Sequence, residues 1–393
     1  MAKKRGQGTG SITEITTGRH KGKYQARIDL GRDESGKRKR PSKYFNLKRD
    51  AEKWVRENLN DVDNNAYIEP SNITVGQWLT TWCKDYKKRS VRPGSYVKFI
   101  IATERHIGLK IGHIKLKDLR PEAVQRMINE WIDEGLGTEA IKKNMEILRL
   151  ALRQACENEL IKKNVAVNAK LPKGKKTNRR VFTPEEQTRF LEAIKGHSRQ
   201  EIFVLLLATG LRISEALALT WDDIDFDNNT LSVNKGMVYV PEDYSTKRKN
   251  QHKKIVGPPK TKSSYRIVPL LPSVVQMLKE YKENQALIEK CQTFRDNNLV
   301  FCNNQTGEHL VPNGISQQLK RMLKIAGVST DGFGLHNLRH TFATRGLEKD
   351  VELRVMQELL GHSSIKMTAD LYTHVLPDKK TASILKLEDT INI

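Results

Sequence analysis

The stretch that most restricts how this chain can fold lies near its carboxy end, between Leu335 and Tyr372. His336, Arg339 and His340 recur at i, i+3 and i+4, so a helix gathers them on one face while Leu338, Phe342 and Leu347 turn toward a core. Leu353 to Leu360 reads as a second helix, stopped by Gly361. His362 then stands at the mouth of the next turn, with Tyr372 ten residues beyond it. Imidazoles, a guanidinium and a phenol are thus collected within one short, punctuated run. That set suits a phosphodiester. Arg holds non-bridging oxygens through paired N–H donors, His moves protons near neutral pH, and Tyr can form a covalent ester. Taken singly, the residues are bland: His-x-x-Arg on a helix is ordinarily a solvated face, and a lone tyrosine is ordinarily half-buried. His336 and His340 also have the spacing of a zinc half-site. The metalloprotease pattern, however, wants Glu directly after the first His, and Asn337 stands there.

Composition narrows the partner. Lys+Arg number 69 against 46 Asp+Glu, a net charge of +23, which points to a polyanion and most simply to nucleic acid. Charge alone does not separate an enzyme on DNA from a passive binder. Cys83, Cys156, Cys291 and Cys302 lack metal-ligand spacing and read as reduced, buried thiols. No apolar run approaches the ~18 residues needed to span a bilayer. Met1-Ala2-Lys3-Lys4-Arg5 is not followed by the hydrophobic stretch of a signal peptide, so a cytoplasmic protein without membrane, metal or cofactor is expected.

With 393 residues, the expectation is a multidomain α+β chain. Residues 1–65 read as a small three-stranded sheet plus one helix. The strands fall near Ser11–Ile15, Tyr24–Leu30 and Arg40–Phe45, and the helix runs from Lys48 with Ala51, Trp54, Val55 and Leu59 on one face. Residues 1–60 hold 17 Lys/Arg and 7 Asp/Glu. Arg27, Lys37, Arg38, Lys39, Arg40 and Lys43 are placed to enter a major groove as β-sheet readers do. Residues 73–172 read as all-helical. Thr74 with Gln77 opens the first helix, Pro93 the next (broken over Gly108–Gly112), Pro121 another, and a long helix runs from Thr138 to Cys156. Lys142, Lys143, Arg149 and Arg153 are candidate phosphate contacts there. The connector Leu171–Arg180 is basic, and its centre, Gly174, Lys175 and Lys176, is expected to cross the DNA backbone.

Residues 180–393 read as a mixed, mainly helical domain with a small antiparallel sheet. Thr183-Pro184-Glu185-Glu186 is a capped helix start. Leu205–Thr209 is an apolar helix broken at Gly210, after which Arg212 opens a new helix, a position that suits anion binding. Glu215, one turn on, can orient the guanidinium. Strands are expected at Thr230–Val233, Met237–Val240, Ile255–Val256, Arg266–Leu270 and Leu299–Phe301. Lys260–Ser264 would form the tip of a hairpin before Arg266. Further helices read at Ser273–Ile288 and Pro312–Ala326, and the tail carries Ile384, Leu387 and Ile391 at helical spacing.

His336-x-x-Arg339-His340, followed by Leu360-Gly361-His362 and Tyr372, resembles the C-terminal box of the tyrosine recombinases, the phage-integrase family. Thr209-Gly210-Leu211-Arg212-x-Ser214-Glu215 resembles its first box. The resemblance extends to the arm-binding and helical core-binding domains of integrases from lambdoid phages and Gram-positive conjugative transposons. It implies a catalytic set of Arg212, Lys260, His336, Arg339, His362 and Tyr372, with Lys262 the alternative to Lys260. By that resemblance Tyr372 attacks a scissile phosphate of duplex DNA to leave a 3′-phosphotyrosine, without metal or ATP. Four protomers would act on two sites, with a host DNA-bending protein and an excisionase as further partners. The tail would dock on its own domain or on a neighbour. The arm domain implies a mobile-element integrase, conjugative transposon before prophage. The rival classes are a type IB-like topoisomerase and a catalytically silent DNA-binding regulator.

Overall fold

The computed structural model describes residues 10–32, 36–63, 72–174, 180–241, 252–259, 261–288 and 294–372, with only the backbone of Pro241, His252, Lys262, Ile288 and residues 370–372. By its internal contacts the chain divides into two units, Met1–Lys175 and Lys176–Ile393.

The first unit opens with β1 (Gly10–Glu14), β2 (Tyr24–Ile28) and β3 (Ser42–Phe45), an antiparallel sheet in sequence order, followed by α1 (Lys48–Asp63). Strand alternation decides its two faces. Ala26 and Ile28 are fully buried, and α1 packs on β2 with Ala51 buried as well. Gln25 and Arg27 therefore point the other way. Register puts Ser11 and Ser42 beside Arg27, and Thr13 and Tyr44 beside Gln25, on that open face. Lys43 lies opposite Ala26, so it belongs to the helix-backed side, where its Nζ stands 5.4 Å over the Phe45 ring. The groove-reading face expected from sequence thus keeps Arg27 and loses Lys43.

The helical part comprises α2 (Val75–Trp82), α3 (Pro93–Ile100), α4 (Gly108–Ile111), α5 (Pro121–Asp133) and α6 (Thr138–Glu157). The Thr74–Gln77 capping box is formed in both directions, at 2.9 and 3.2 Å. Trp78, Trp82, Met127, Trp131, Met145 and Leu148 fill the core. The indole N–H of Trp78 donates to the Ala151 carbonyl at 2.9 Å, without which a buried donor would cost about 1–3 kcal/mol. One expectation fails here. Gly108 to Gly112 does not break the helix begun at Pro93. A wide turn over Ile101–Ile107 carries the chain through Gly108, and the stop comes only at Gly112. The glycines serve close packing instead, since the Gly76 N–H donates to the Gly112 carbonyl at 2.9 Å.

The second unit begins with α7 (Pro184–Ala193), α8 (Gln200–Thr209) and the single turn α9 (Ile213–Ala216). Strands β4 (Ile224–Asp225), β5 (Thr230–Val233), β6 (Gly236–Pro241), β7 (His252–Gly257) and β8 (Arg266–Pro269) follow. Helices α10 (Pro272–Ile288), α11 (Pro312–Ile325), α12 (Leu335–Glu348), α13 (Leu353–Leu360) and α14 (Ile365–Tyr372) complete it. One apolar core joins Phe182, Phe190 and Phe203 with Leu231, Val268, Leu319 and Leu338.

Two strand expectations are corrected. β7 pairs with β6, and β8 pairs with β5, so β7 and β8 belong to separate sheets and do not form a hairpin with each other. Alternation identifies a strand but not its partner. Leu299–Phe301 is no strand: Leu299 makes an isolated bridge to Thr220, and Cys302 one to His309.

Candidate active site

Three helix ends and one strand converge around Arg339. Helix α8 stops at Gly210 in the left-handed conformation (φ +63°), where a β-carbon would lie 2.4 Å from Phe342 Cδ1. Helix α13 stops the same way at Gly361 (φ +62°), where a β-carbon would lie 2.9 Å from the Ser263 carbonyl oxygen. Arg339, only 2% exposed, reaches from α12 to both ends: Nη1 donates to the Gly210 carbonyl at 2.7 Å and Nη2 to the Leu360 carbonyl. Those carbonyls lie at the negative poles of two helices, which is where a cation is favoured. Burial, then the neighbouring charge of Arg212, pulls the Arg339 pKa down to about 9, so it remains a cation at neutral pH.

Arg212 stands at the start of α9, as its sequence context predicts. Its main-chain N–H donates to Glu215 Oε2 at 2.9 Å and its Nη1 to Glu215 Oε1 at 2.7 Å. Glu215 is 5% exposed and also receives Arg266, at 2.9 Å from Nη2 and 3.3 Å from Nη1. Burial by itself would raise the Glu215 pKa. The hydrogen bond and charge of Arg266, with the Arg212 N–H, outweigh it and hold the carboxyl below its ordinary value. Arg212 and Arg266 thus share the Glu215 carboxylate, and Arg339 lies within reach of the same charge, so among these described residues the cations outnumber the anion.

His362 follows Gly361. Its N–H donates to the Gln357 carbonyl and its own carbonyl accepts from Gln357 Nε2, both at 3.1 Å, which fixes the backbone. Its Nδ1 lies 2.9 Å from the hydroxyl of fully buried Thr368. Burial first, then the charges of Arg339 and Arg212, push its pKa down to about 3, so the ring is neutral at physiological pH. In the tautomer in which the Thr368 O–H donates to Nδ1, the ring proton rests on Nε2, a neutral donor suited to a phosphate oxygen. His336, one turn before Arg339, is exposed and meets buried His340 edge-on at 4.4 Å between ring centres. Asn337, the residue that spoils the zinc pattern, has a structural task. It accepts the Gly334 N–H at 2.9 Å and donates to the Arg180 carbonyl at 2.7 Å, so it caps α12.

Arg212, Arg339 and His362 are therefore brought together, with His336 near enough for its charge to act on His362. Tyr372 ends α14, a helix packed on α12 and α13. Its phenol lies outside the described residues, as do Lys260 and the side chain of Lys262. Sequence reasoning missed Arg266 and Thr368. A strand-opening arginine gives no signal of a carboxylate 51 residues upstream, and a helical threonine none of an imidazole.

The other candidates divide. Arg38 and Arg40 are both paired to buried Asp29, at 3.2 and 3.1 Å, and Arg27 donates to Gln25 Oε1 at 3.3 Å. Lys142 pairs with Glu139 at 2.9 Å. Arg149 donates to the Ala166 and Ala169 carbonyls, at 2.9 and 3.3 Å, and so ties down the chain after α6. Lys143 and Arg153 are exposed. Position 174, being glycine, offers no cation, and Lys175 and Lys176 lie outside the described residues.

Residues 180–379 match the phage integrase family, residues 74–132 its N-terminal SAM-like domain, and residues 17–62 an arm DNA-binding domain. The chain belongs to the phage integrase family. A tyrosine recombinase XerC-like protein of Caldanaerobacter subterraneus is 32% identical over 384 residues, 93% of this chain and 96% of the relative. The transposase from transposon Tn916 of Enterococcus faecalis is 25% identical over 293 residues, 71% of this chain and 69% of the relative. In fold, the chain is similar to the Tn1549 transposon integrase in complex with transposon right end DNA, with TM-score 0.66 and 21% identity over 80% of this chain and 99% of that one. It is also similar to lambda integrase in a tetramer bound to a Holliday junction, with TM-score 0.56 and 20% identity over 89% and 92%. Membership in this family agrees with the fold: a three-stranded sheet with its helix, a helical bundle, and a mainly helical unit with small antiparallel sheets.

Proposed function

We propose that this family member integrates and excises a mobile element by site-specific strand exchange in duplex DNA. The observation that carries the reading is the cation-rich cluster of Arg212 and Arg339 beside neutral His362, with α12, which carries Arg339, and α13, which leads into His362, packed against the helix that ends in Tyr372. The Tyr372 oxygen attacks the scissile phosphorus. A tyrosine–phosphate ester forms at the 3′ side while the bond to the 5′ oxygen breaks. Arg212 and Arg339 stabilise charge on the non-bridging oxygens, and His362 donates to one of them. His336 assists proton transfer at the tyrosine, and Lys260 gives the 5′ oxygen its proton. The ester keeps the energy of the broken bond, so the reaction runs without metal or ATP. The 5′ hydroxyl of a partner strand then reverses the step.

The wider assignment follows the same reading. Residues 1–65 bind arm sites, 73–172 clasp the core site, and 180–393 carry catalysis. Four protomers work on two DNA sites in the cytoplasm, with a host DNA-bending protein and an excisionase as partners. The element is a conjugative transposon, a reading that the similarity to a Tn916 protein supports. The test is a suicide duplex from the element's ends, nicked beside the crossover, incubated with wild type and Tyr372→Phe in chelator without ATP. A covalent protein–DNA band is expected in wild type alone. A band that persists in Tyr372→Phe would name the wrong nucleophile. Binding without any adduct would leave a regulator, and supercoil relaxation without exchange a topoisomerase.

A further inference from the structure

Arg266 has no place in the chemistry above, yet it touches three separate segments beside the site, at Glu215, at Ser264 and at the turn before His362. Its side chain is 5% exposed. Nη2 and Nη1 reach the two oxygens of Glu215, at 2.9 and 3.3 Å, while Glu215 holds the Arg212 guanidinium at 2.7 Å. Nε donates to the Leu359 carbonyl at 2.6 Å, two residues before Gly361. Nη1 also donates to the Ser264 carbonyl at 3.2 Å, in the connection between the two sheets. Gly361 packs directly on this side chain, since a β-carbon there would lie 3.2 Å from both Cδ and Nη1.

We infer that Arg266 is a positioning residue that sets Arg212, through Glu215, against the turn that holds Arg339 and His362. The planar fork makes this possible. One guanidinium addresses a carboxylate and two carbonyls from different segments, fixing their separation, and an ammonium has no such geometry. Without the fork Glu215 keeps its hydrogen bonds to Arg212 but loses its tie to the Leu359–Gly361 turn, and the Arg212 Nη1 that it holds loses its bearing on the phosphate. The Leu359–His362 turn loses its strut at the same time. Arg266 itself needs no contact with DNA. Partners that orient metal ligands typically account for about 10–100-fold in activity when removed, and a loss of the same order is expected for a partner that orients Arg212.

The inference rests on the recombinase reading and deepens it, so the test separates the two. Arg266→Lys keeps the charge facing Glu215 and loses the fork. Single-turnover adduct formation is measured with full-length protein on two suicide duplexes, one with the natural scissile phosphate and one with a methylphosphonate. The methylphosphonate replaces a charged non-bridging oxygen by methyl and so removes the charge that the arginines stabilise. Relative to wild type, Arg266→Lys is expected to lose about 10–100-fold on the phosphate and to stay within about threefold on the methylphosphonate. The ratio comes from one preparation, so partial unfolding cancels. Glu215→Gln is expected to give the same asymmetry. Equal losses on both duplexes would mean a structural role only, and no loss on either would mean no role; each overturns the inference. Failure of the recombinase reading shows separately, as wild type that forms no adduct on either duplex, and it removes the inference with it.

Discussion

Acid should weaken the second unit through one side chain, His362. The ring is 8% exposed beside two guanidiniums, and its pKa lies at about 3 against an ordinary value of 6.5. The folded state therefore favours the neutral form. The stabilisation is complete above the unfolded value and is lost as pH falls below it, because the unfolded chain then binds a proton that the folded chain refuses. At pH 5.0 the gap below 6.5 is about 1.5 units, and at 1.36 kcal/mol per unit the loss is about 2 kcal/mol. The figure does not depend on where the folded value falls, provided it lies well under 5. For a unit of this size, about 2 kcal/mol corresponds to roughly 4–8 °C in Tm. Calorimetry of wild type and His362→Gln at pH 7.5 and 5.0 tests it, since every other titrating group contributes equally to both proteins. Wild type should fall by those degrees more than the variant between the two pH values. An equal fall in both would refute the reasoning, and would mean that the cluster tolerates an imidazolium.

Further outcomes follow from individual contacts. Gly361→Ala forces a side chain into a left-handed turn against the Ser263 carbonyl, so a Tm drop with loss of adduct is expected, at a cost of about 1–2 kcal/mol or more. Glu215→Gln leaves buried Arg266 without its carboxylate and should destabilise by about 3–5 kcal/mol, readable as a lower denaturant midpoint. Arg149→Ala should cost about 1–3 kcal/mol of stability while leaving the salt dependence of DNA binding unchanged. Arg153→Ala should do the opposite, lowering the slope of log affinity against log salt by about one.

Local features were legible in the sequence. Thr74 with Gln77 and Thr183 with Glu186 announce helix starts within four residues, and both capping boxes form. Gly210 and Gly361 announce helix ends, and both adopt the left-handed turn. Arg212 and Glu215 meet because one turn separates them. What sequence hid is long-range. Strand alternation identifies β7 and β8 but not that each pairs elsewhere, so the hairpin expected between them does not form. Gly108 and Gly112 read as a break, although tertiary packing on Gly76 carries the helix on. Helical spacing put Arg339 on a face with His336, yet one is nearly buried and the other exposed, since only the surrounding helix ends decide depth.

Arg339 is held by main-chain oxygens at the ends of two helices, and this has a consequence for how such a site is inherited. A carbonyl cannot be lost by substitution. Neighbouring side chains can drift a long way while the guanidinium keeps its bearing, as long as the chain still turns at Gly210 and Gly361. The heritable unit is a pair of turns, and in a diverged relative those two glycines would mark the seat of the arginine even where every residue packed around it had changed.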